Sequence, residues 1–142
     1  MREYCFNEIQ IGQTEEFTRE ITWEMENSFR DITGDYNPMH QDDAFAREVS
    51  DGRFQGHISF GMLTASLYST MAGMYLPGKY SLIHSIEKIS FKTPVFVGDV
   101  LTVTGKVKAK HEDLKLIQVD VKIKNQNEKV VSKADMKILV QK

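Results

Sequence analysis

Between Gly61 and Leu76 the chain reads Gly-Met-Leu-Thr-Ala-Ser-Leu-Tyr-Ser-Thr-Met-Ala-Gly-Met-Tyr-Leu, without one charged side chain. As a helix, this segment points large apolar residues nearly all round. A surface helix keeps a polar face toward water, so this one is expected to be buried on most sides. The small residues Ala65, Ser66, Ser69, Ala72 and Gly73 let another element approach closely, and Leu76-Pro77-Gly78 ends the helix. A chain containing such a segment must supply something to wrap it.

The C-terminal half supplies it. In 101–110, Leu101, Val103, Val107 and Ala109 share one parity, while Lys106, Lys108 and Lys110 share the other. In 115–124, Ile117, Val119, Val121 and Ile123 alternate with Gln118, Asp120, Lys122 and Lys124. Residues 130–140 carry a less regular version of the same pattern, and a further strand is expected around 81–92. This is the signature of half-buried antiparallel strands, one face on a core and one in water. Asn125-Gln126-Asn127-Glu128 supplies a hairpin turn. The expected architecture is therefore α+β: a curved antiparallel sheet wrapped around a long central apolar helix. The lysines of the strands could form a phosphate-binding patch, but Glu112, Asp113 and Asp120 lie among them, which favours a solvated sheet face.

Before Pro77-Gly78 the helical signals dominate. A short strand is expected at 16–21. Thr22, followed by Glu24 and Glu26, marks a helix start with acidic residues at the favourable end of the dipole. Trp23, Met25, Phe29 and Ile32 form a rough apolar face along it, and 42–49 suits a second short helix.

The chain has 142 residues, the size of one domain spanning 1–142, and such a chain buries roughly 70% of its unfolded surface. A formal net charge of −2 gives no general attraction to nucleic acid or anionic membrane. The single cysteine, Cys5, excludes an internal disulfide and a cysteine-rich zinc site, and with no basic partner nearby it is a poor candidate nucleophile. The N-terminus lacks the pattern of a secretion signal, and no apolar run approaches the ~20 residues of a membrane span. A soluble, cytoplasmic location is expected.

Gly34-Asp35-Tyr36-Asn37-Pro38-Met39-His40 is the segment that carries chemistry. Pro38 pushes Asn37 out of the helical region, and Gly34 permits a backbone shape other residues resist. A turn of this kind can aim the Asp35 carboxylate and the His40 imidazole at one small volume, as acid–base work on a bound water requires. Asp, Asn, Gly and Pro are also ordinary turn residues, so these residues alone equally allow a capping role for Asp35.

Three blocks resemble the (R)-specific enoyl-CoA hydratases, or MaoC-like dehydratases, of the hot-dog fold. The first is Thr33-Gly34-Asp35-Tyr36-Asn37-Pro38-Met39-His40 with Asp42 and Ala44-Phe45-Ala46, similar to the hydratase signature. The second is Phe54, Ile58, Gly61-Met62-Leu63 and Ala65-Ser66-Leu67-Tyr68-Ser69. The third is Leu76-Pro77-Gly78-Lys79, Ser90-Phe91-Lys92 and Pro94-Val95-Phe96-Val97-Gly98-Asp99. The first block is specific to the hydratase branch; the others speak for the fold.

The resemblance implies that Asp35 and His40 hold the catalytic water as an acid–base pair, and that the Gly61 N–H, at the start of the buried helix, hydrogen-bonds the thioester carbonyl. A helix N-terminus suits that task, since its N–H groups are unpaired and its dipole favours negative charge. Asn37 would shape the turn, and Ser69 matches a position near the catalytic Asp. The substrate is an acyl thioester of coenzyme A or acyl carrier protein, with no separate cofactor, no metal, and no nucleic-acid or membrane partner. A homodimer or higher homo-oligomer, with active sites near the interface, is implied as well. One position departs: the family commonly has His-Gly-Met where this chain has Phe60-Gly61-Met62, which bears on substrate and rate.

Two other functions fit the same fold. Many hot-dog thioesterases present an Asp or Glu from the central helix, and 61–76 has neither. A non-catalytic acyl-thioester-binding module would not need both Asp35 and His40. A metal site built from Asp35, His40, Asp42 and His57 matches no familiar ligand spacing.

Overall fold

Alternating side chains along the C-terminal half build a five-stranded sheet in the computed structural model, which describes residues 1–142. The strands are β1 (Thr14–Glu20), β2 (Ser81–Phe91), β3 (Val100–His111), β4 (Leu116–Lys124) and β5 (Val130–Val140), ordered β1-β3-β4-β5-β2. Every neighbouring pair is antiparallel. On β4, Ile117, Val119, Val121 and Ile123 are all fully buried, as the alternation predicts. The turn into β5 is fixed by Asn125, whose side-chain oxygen accepts from the N–H groups of Asn127 (3.0 Å) and Lys129 (3.1 Å).

Parity fails near the end of β3. The β3–β4 register shifts between Val107 and Ala109, so Lys110 does not continue the solvent-facing row of Lys106 and Lys108. Its ammonium instead donates to the carbonyls of Phe6 (2.9 Å) and Ile9 (2.8 Å) and lies over the Phe6 ring. A bulge adds one residue to a strand and breaks the period of two, which the composition of the run does not reveal.

The apolar segment forms α3 (Gly61–Thr70), followed by one wider turn over Met71–Tyr75. There the Leu76 N–H reaches back to the Met71 carbonyl at 2.8 Å. The helix packs on the sheet through Leu63, Leu67, Tyr68 and Met71, and the Tyr68 hydroxyl meets Ser132 Oγ at 2.5 Å. Gly105, in mid-β3, makes room for this. A Cβ there would lie 2.9 Å from Met71 Sδ, so even an alanine would require the Met71 side chain to shift. This is the helix-on-antiparallel-sheet arrangement of the hot-dog fold. The helix is not enclosed all round, however: Met62, Ser66 and Ser69, spaced to share one face, are exposed.

Two shorter helices precede it, α1 (Trp23–Thr33) and α2 (Asp43–Val49). Thr22 caps α1 by accepting from the Met25 N–H at 3.3 Å, and Gly34 closes it with φ of 69°. Of the apolar face expected on α1, Met25 and Phe29 pack on the core, whereas Trp23 and Ile32 are exposed. The residue of α1 that is completely buried is Glu26. No helix is long and apolar enough to cross a membrane.

Candidate active site

Short-range hydrogen bonds shape the segment that follows α1. The Asn37 N–H donates to Asp35 Oδ1 at 3.0 Å, and Asn37 Oδ1 in turn accepts from the Met39 N–H at 2.9 Å. Pro38–His40 then forms a single tight turn, with Pro at its first position, where no N–H is required. Gln41 ties the loop by donating to the Tyr36 carbonyl at 2.7 Å.

The other half of the site is the strap leading into α3. Its backbone is pinned twice: the Ile58 N–H donates to the Met39 carbonyl at 3.0 Å, and the Ser59 N–H to the Val95 carbonyl at 2.7 Å. The His40 ring crosses to this strap, with Nδ1 2.8 Å from the Ile58 carbonyl. A carbonyl only accepts, so Nδ1 carries the proton, and a neutral ring keeps its lone pair on Nε2. Phe60 supports the imidazole from the side, with ring centroids 4.3 Å apart, and itself packs on Phe29 at 5.2 Å. Arg30 reaches the His40 carbonyl at 3.4 Å.

Gly61 opens α3, so its N–H is one of those the helix leaves unused. Asp35, His40, Phe60 and Gly61 share a cavity of about 300 Å³. His40 and Gly61 also border a second cavity, of about 340 Å³, reaching toward Phe54, Thr64 and Val131. They therefore stand between two chambers. A carboxylate, an imidazole with a free nitrogen and a helix N-terminus around one volume can hold a water, move its protons and meet negative charge on a carbonyl oxygen. A larger recess of about 790 Å³ lies along Glu3, Tyr4 and Gly12 and offers no such combination.

The other sequence candidates lie apart. Ser69 is exposed and makes no hydrogen bond to Asp35; eight residues beyond Gly61, it is displaced by about 12 Å along the helix axis. Asp42 caps α2, accepting from the Phe45 N–H at 3.0 Å. His57 is held by Asp43 and Glu26 rather than by the Asp35–His40 turn, and no three His, Cys, Asp or Glu side chains are placed to hold one metal ion.

His57 belongs to a cluster the sequence did not reveal. Its Nδ1 lies 2.6 Å from Asp43 Oδ1 and its Nε2 lies 3.4 Å from Glu26 Oε2. Trp23 packs on the ring at 4.9 Å. The cluster joins α1 and α2 to the residue just before the strap. The Asp43 carboxyl is held below its ordinary range, chiefly by the His57 backbone N–H and then by the His57 ring. A depressed carboxyl contributes stability that is fully present above the unfolded pKa and lost as pH falls through the folded one. The stability gap between the wild type and Asp43→Asn is therefore expected to be present above the ordinary Asp pKa of about 3.9 and to shrink as pH falls below it. Urea midpoints across that range check it, and a gap independent of pH would assign no role to the charge.

The family described as MaoC like domain matches residues 7–129. The (R)-specific enoyl-CoA hydratase of Aeromonas caviae is 36% identical over 115 residues, 81% of this chain and 83% of that protein. The 3-hydroxybutyryl-CoA dehydratase of Methylorubrum extorquens is 33% identical over 107 residues, 75% of this chain and 66% of that protein. Among solved structures, the R-hydratase PhaJ1 from Pseudomonas aeruginosa superposes with a TM-score of 0.86 at 29% identity, covering 96% of this chain and 84% of that one.

Proposed function

The chain belongs to the MaoC-like domain family, and from that premise we propose that it hydrates trans-2-enoyl thioesters reversibly to (R)-3-hydroxyacyl thioesters. The observation that carries the reading is the His40 Nδ1 bond to the Ile58 carbonyl. It leaves Nε2 as a proton acceptor beside the volume shared with Asp35 and Gly61. In this mechanism the thioester carbonyl accepts from the Gly61 N–H. The oxygen of a water held by Asp35 and His40 bonds to C3, while the electron pair of the C2–C3 double bond shifts toward C2 and the carbonyl oxygen. The helix N-terminus meets that charge. The Asp35–His40 pair takes one proton from the water and returns one to C2 on the same face, ending as it began. Dehydration reverses each step.

The thioester is carried by coenzyme A or acyl carrier protein, and the reaction calls on no separate cofactor. The reading extends to a cytoplasmic homodimer. The free edge strand β2 exposes Leu82 and Ile89, and the open face of α3 exposes Met62, which together offer a surface for a second copy.

Incubation with crotonyl-CoA, followed as loss of the enoyl-thioester absorbance, tests the activity, and chiral analysis of the product tests the stereochemistry. The expected product is (R)-3-hydroxybutyryl-CoA. An (S) product, or no turnover of crotonyl-, hexenoyl- or octenoyl-CoA, would sink the reading in favour of a thioester-binding module.

A further inference from the structure

Four hydroxyl side chains on or near the helices of this protein find a backbone carbonyl. Thr33 donates to Phe29 O, Ser50 to Arg47 O, Ser66 to Leu63 O, and Thr93 to Val130 O. Two buried hydroxyls find no partner at all. Ser59 is 5% exposed and Thr64 is 1% exposed, yet neither Ser59 Oγ nor Thr64 Oγ1 has a hydrogen-bond partner within the protein. Thr64 stands in the first turn of α3, where its hydroxyl could return to the Phe60 carbonyl. That carbonyl receives the N–H groups of Leu63 and Thr64 instead.

Both hydroxyls line the 340 Å³ chamber that begins at His40 and Gly61. The remaining unpartnered buried atoms belong to Glu26, Arg30 and His57, none of which lines it. A buried hydroxyl without a partner is costly, so a chamber with two of them is matched to a ligand that brings hydrogen-bonding atoms of its own. Its other walls include Phe54, Ile58, Val95 and Val131, which suit a carbon chain. Its one lysine, Lys92, is exposed, as are Phe91 and Pro94 beside it, and this stretch forms the mouth. With no buried cation in its walls, the chamber disfavours a carboxylate.

We propose that Ser59 and Thr64 select substrates whose acyl chain carries a neutral oxygen function, such as a hydroxyl, beyond the reacting double bond. The inference rests on the hydratase reading above and names the substrate class of that same site.

The test compares trans-5-hydroxypent-2-enoyl-CoA with trans-hex-2-enoyl-CoA, in which a methyl replaces the hydroxyl. Glutaconyl-CoA serves as the charged counterpart and crotonyl-CoA as the short reference. The wild type is expected to show kcat/KM at least about tenfold higher for the hydroxylated substrate than for hexenoyl-CoA. In the double variant Ser59→Ala, Thr64→Val the ratio should fall to about one or below, and Thr64→Ser alone should keep it. Turnover of crotonyl- and hexenoyl-CoA with no preference for the hydroxyl overturns the inference while leaving the hydratase reading standing. So does a preference that survives in the double variant, as it would if the two hydroxyls only held water or the pantetheine amides. A preference for glutaconyl-CoA overturns the neutral class. The wild-type ratio decides even where the double variant does not fold. Failure to turn over any of the four overturns this inference, and failure on octenoyl-CoA as well overturns the hydratase reading with it.

Discussion

Asp35→Asn is expected to lower kcat on crotonyl-CoA by about 10²–10⁴-fold while leaving the fold intact, the range contributed by positioned acid–base groups. The separation of the two effects follows from the surroundings of Asp35. The residue is exposed, and the one hydrogen bond its side chain makes within the chain is accepted by Oδ1 from the Asn37 N–H at 3.0 Å. An amide oxygen accepts that bond equally well, so the turn persists and the unfolding free energy should change by no more than about 0.5 kcal/mol. What the amide cannot do is take a proton from water. The thioester carbonyl would still meet Gly61, so KM should move much less than kcat. Steady-state kinetics alongside a urea melt checks both halves. Near-normal turnover by a well-folded Asp35→Asn would remove Asp35 from the acid–base role and leave His40 without its proposed partner.

The legible parts of this molecule share a physical cause: they depend on residues close in sequence. A period of two places Ile117, Val119, Val121 and Ile123 on the buried face of β4, and this can be read before any partner strand is known. The Asp35–His40 turn is equally local, because Gly34, Asn37 and Pro38 set its path through backbone preferences and bonds spanning two residues. Contacts between distant segments were not legible. Nothing near His40 announces that its ring is fixed by the carbonyl of Ile58, and nothing near Glu26 announces His57. Trp23 and Ile32 read as core by hydrophobicity but stay exposed, while Glu26 on the same helix is buried beside an imidazole. Lys110 was misread for a related reason, since a single added residue in β3 turns it from solvent to the carbonyls of the N-terminal turn. The open face of α3 is not legible either, because one of its residues, Met62, is apolar.

Phe60→Ala is expected to cost about 3–5 kcal/mol of stability, the usual range for removing a buried aromatic ring, and to lower kcat as well. Phe60 is 2% exposed and stands between Phe29 and His40, so the core and the candidate site share this one side chain. Its backbone work would survive the change, because the carbonyl that accepts from Leu63 and Thr64 remains. The loss is therefore one of packing: a void opens against Phe29, and the imidazole loses the surface that limits its rotation about the bond to Ile58. Residual activity should then fall through poor placement of Nε2 rather than through missing chemistry. Phe60→His separates the two contributions. Another ring of moderate size still props His40, but a polar imidazole takes the place of a buried apolar ring, so stability should fall by about 1–3 kcal/mol with kcat better preserved than in Phe60→Ala. Urea unfolding at constant slope, read beside kcat for both variants, tests this ordering. A stability loss below about 1 kcal/mol in Phe60→Ala would mean that the site closes over the missing ring, and that Phe60 does not couple the core to His40.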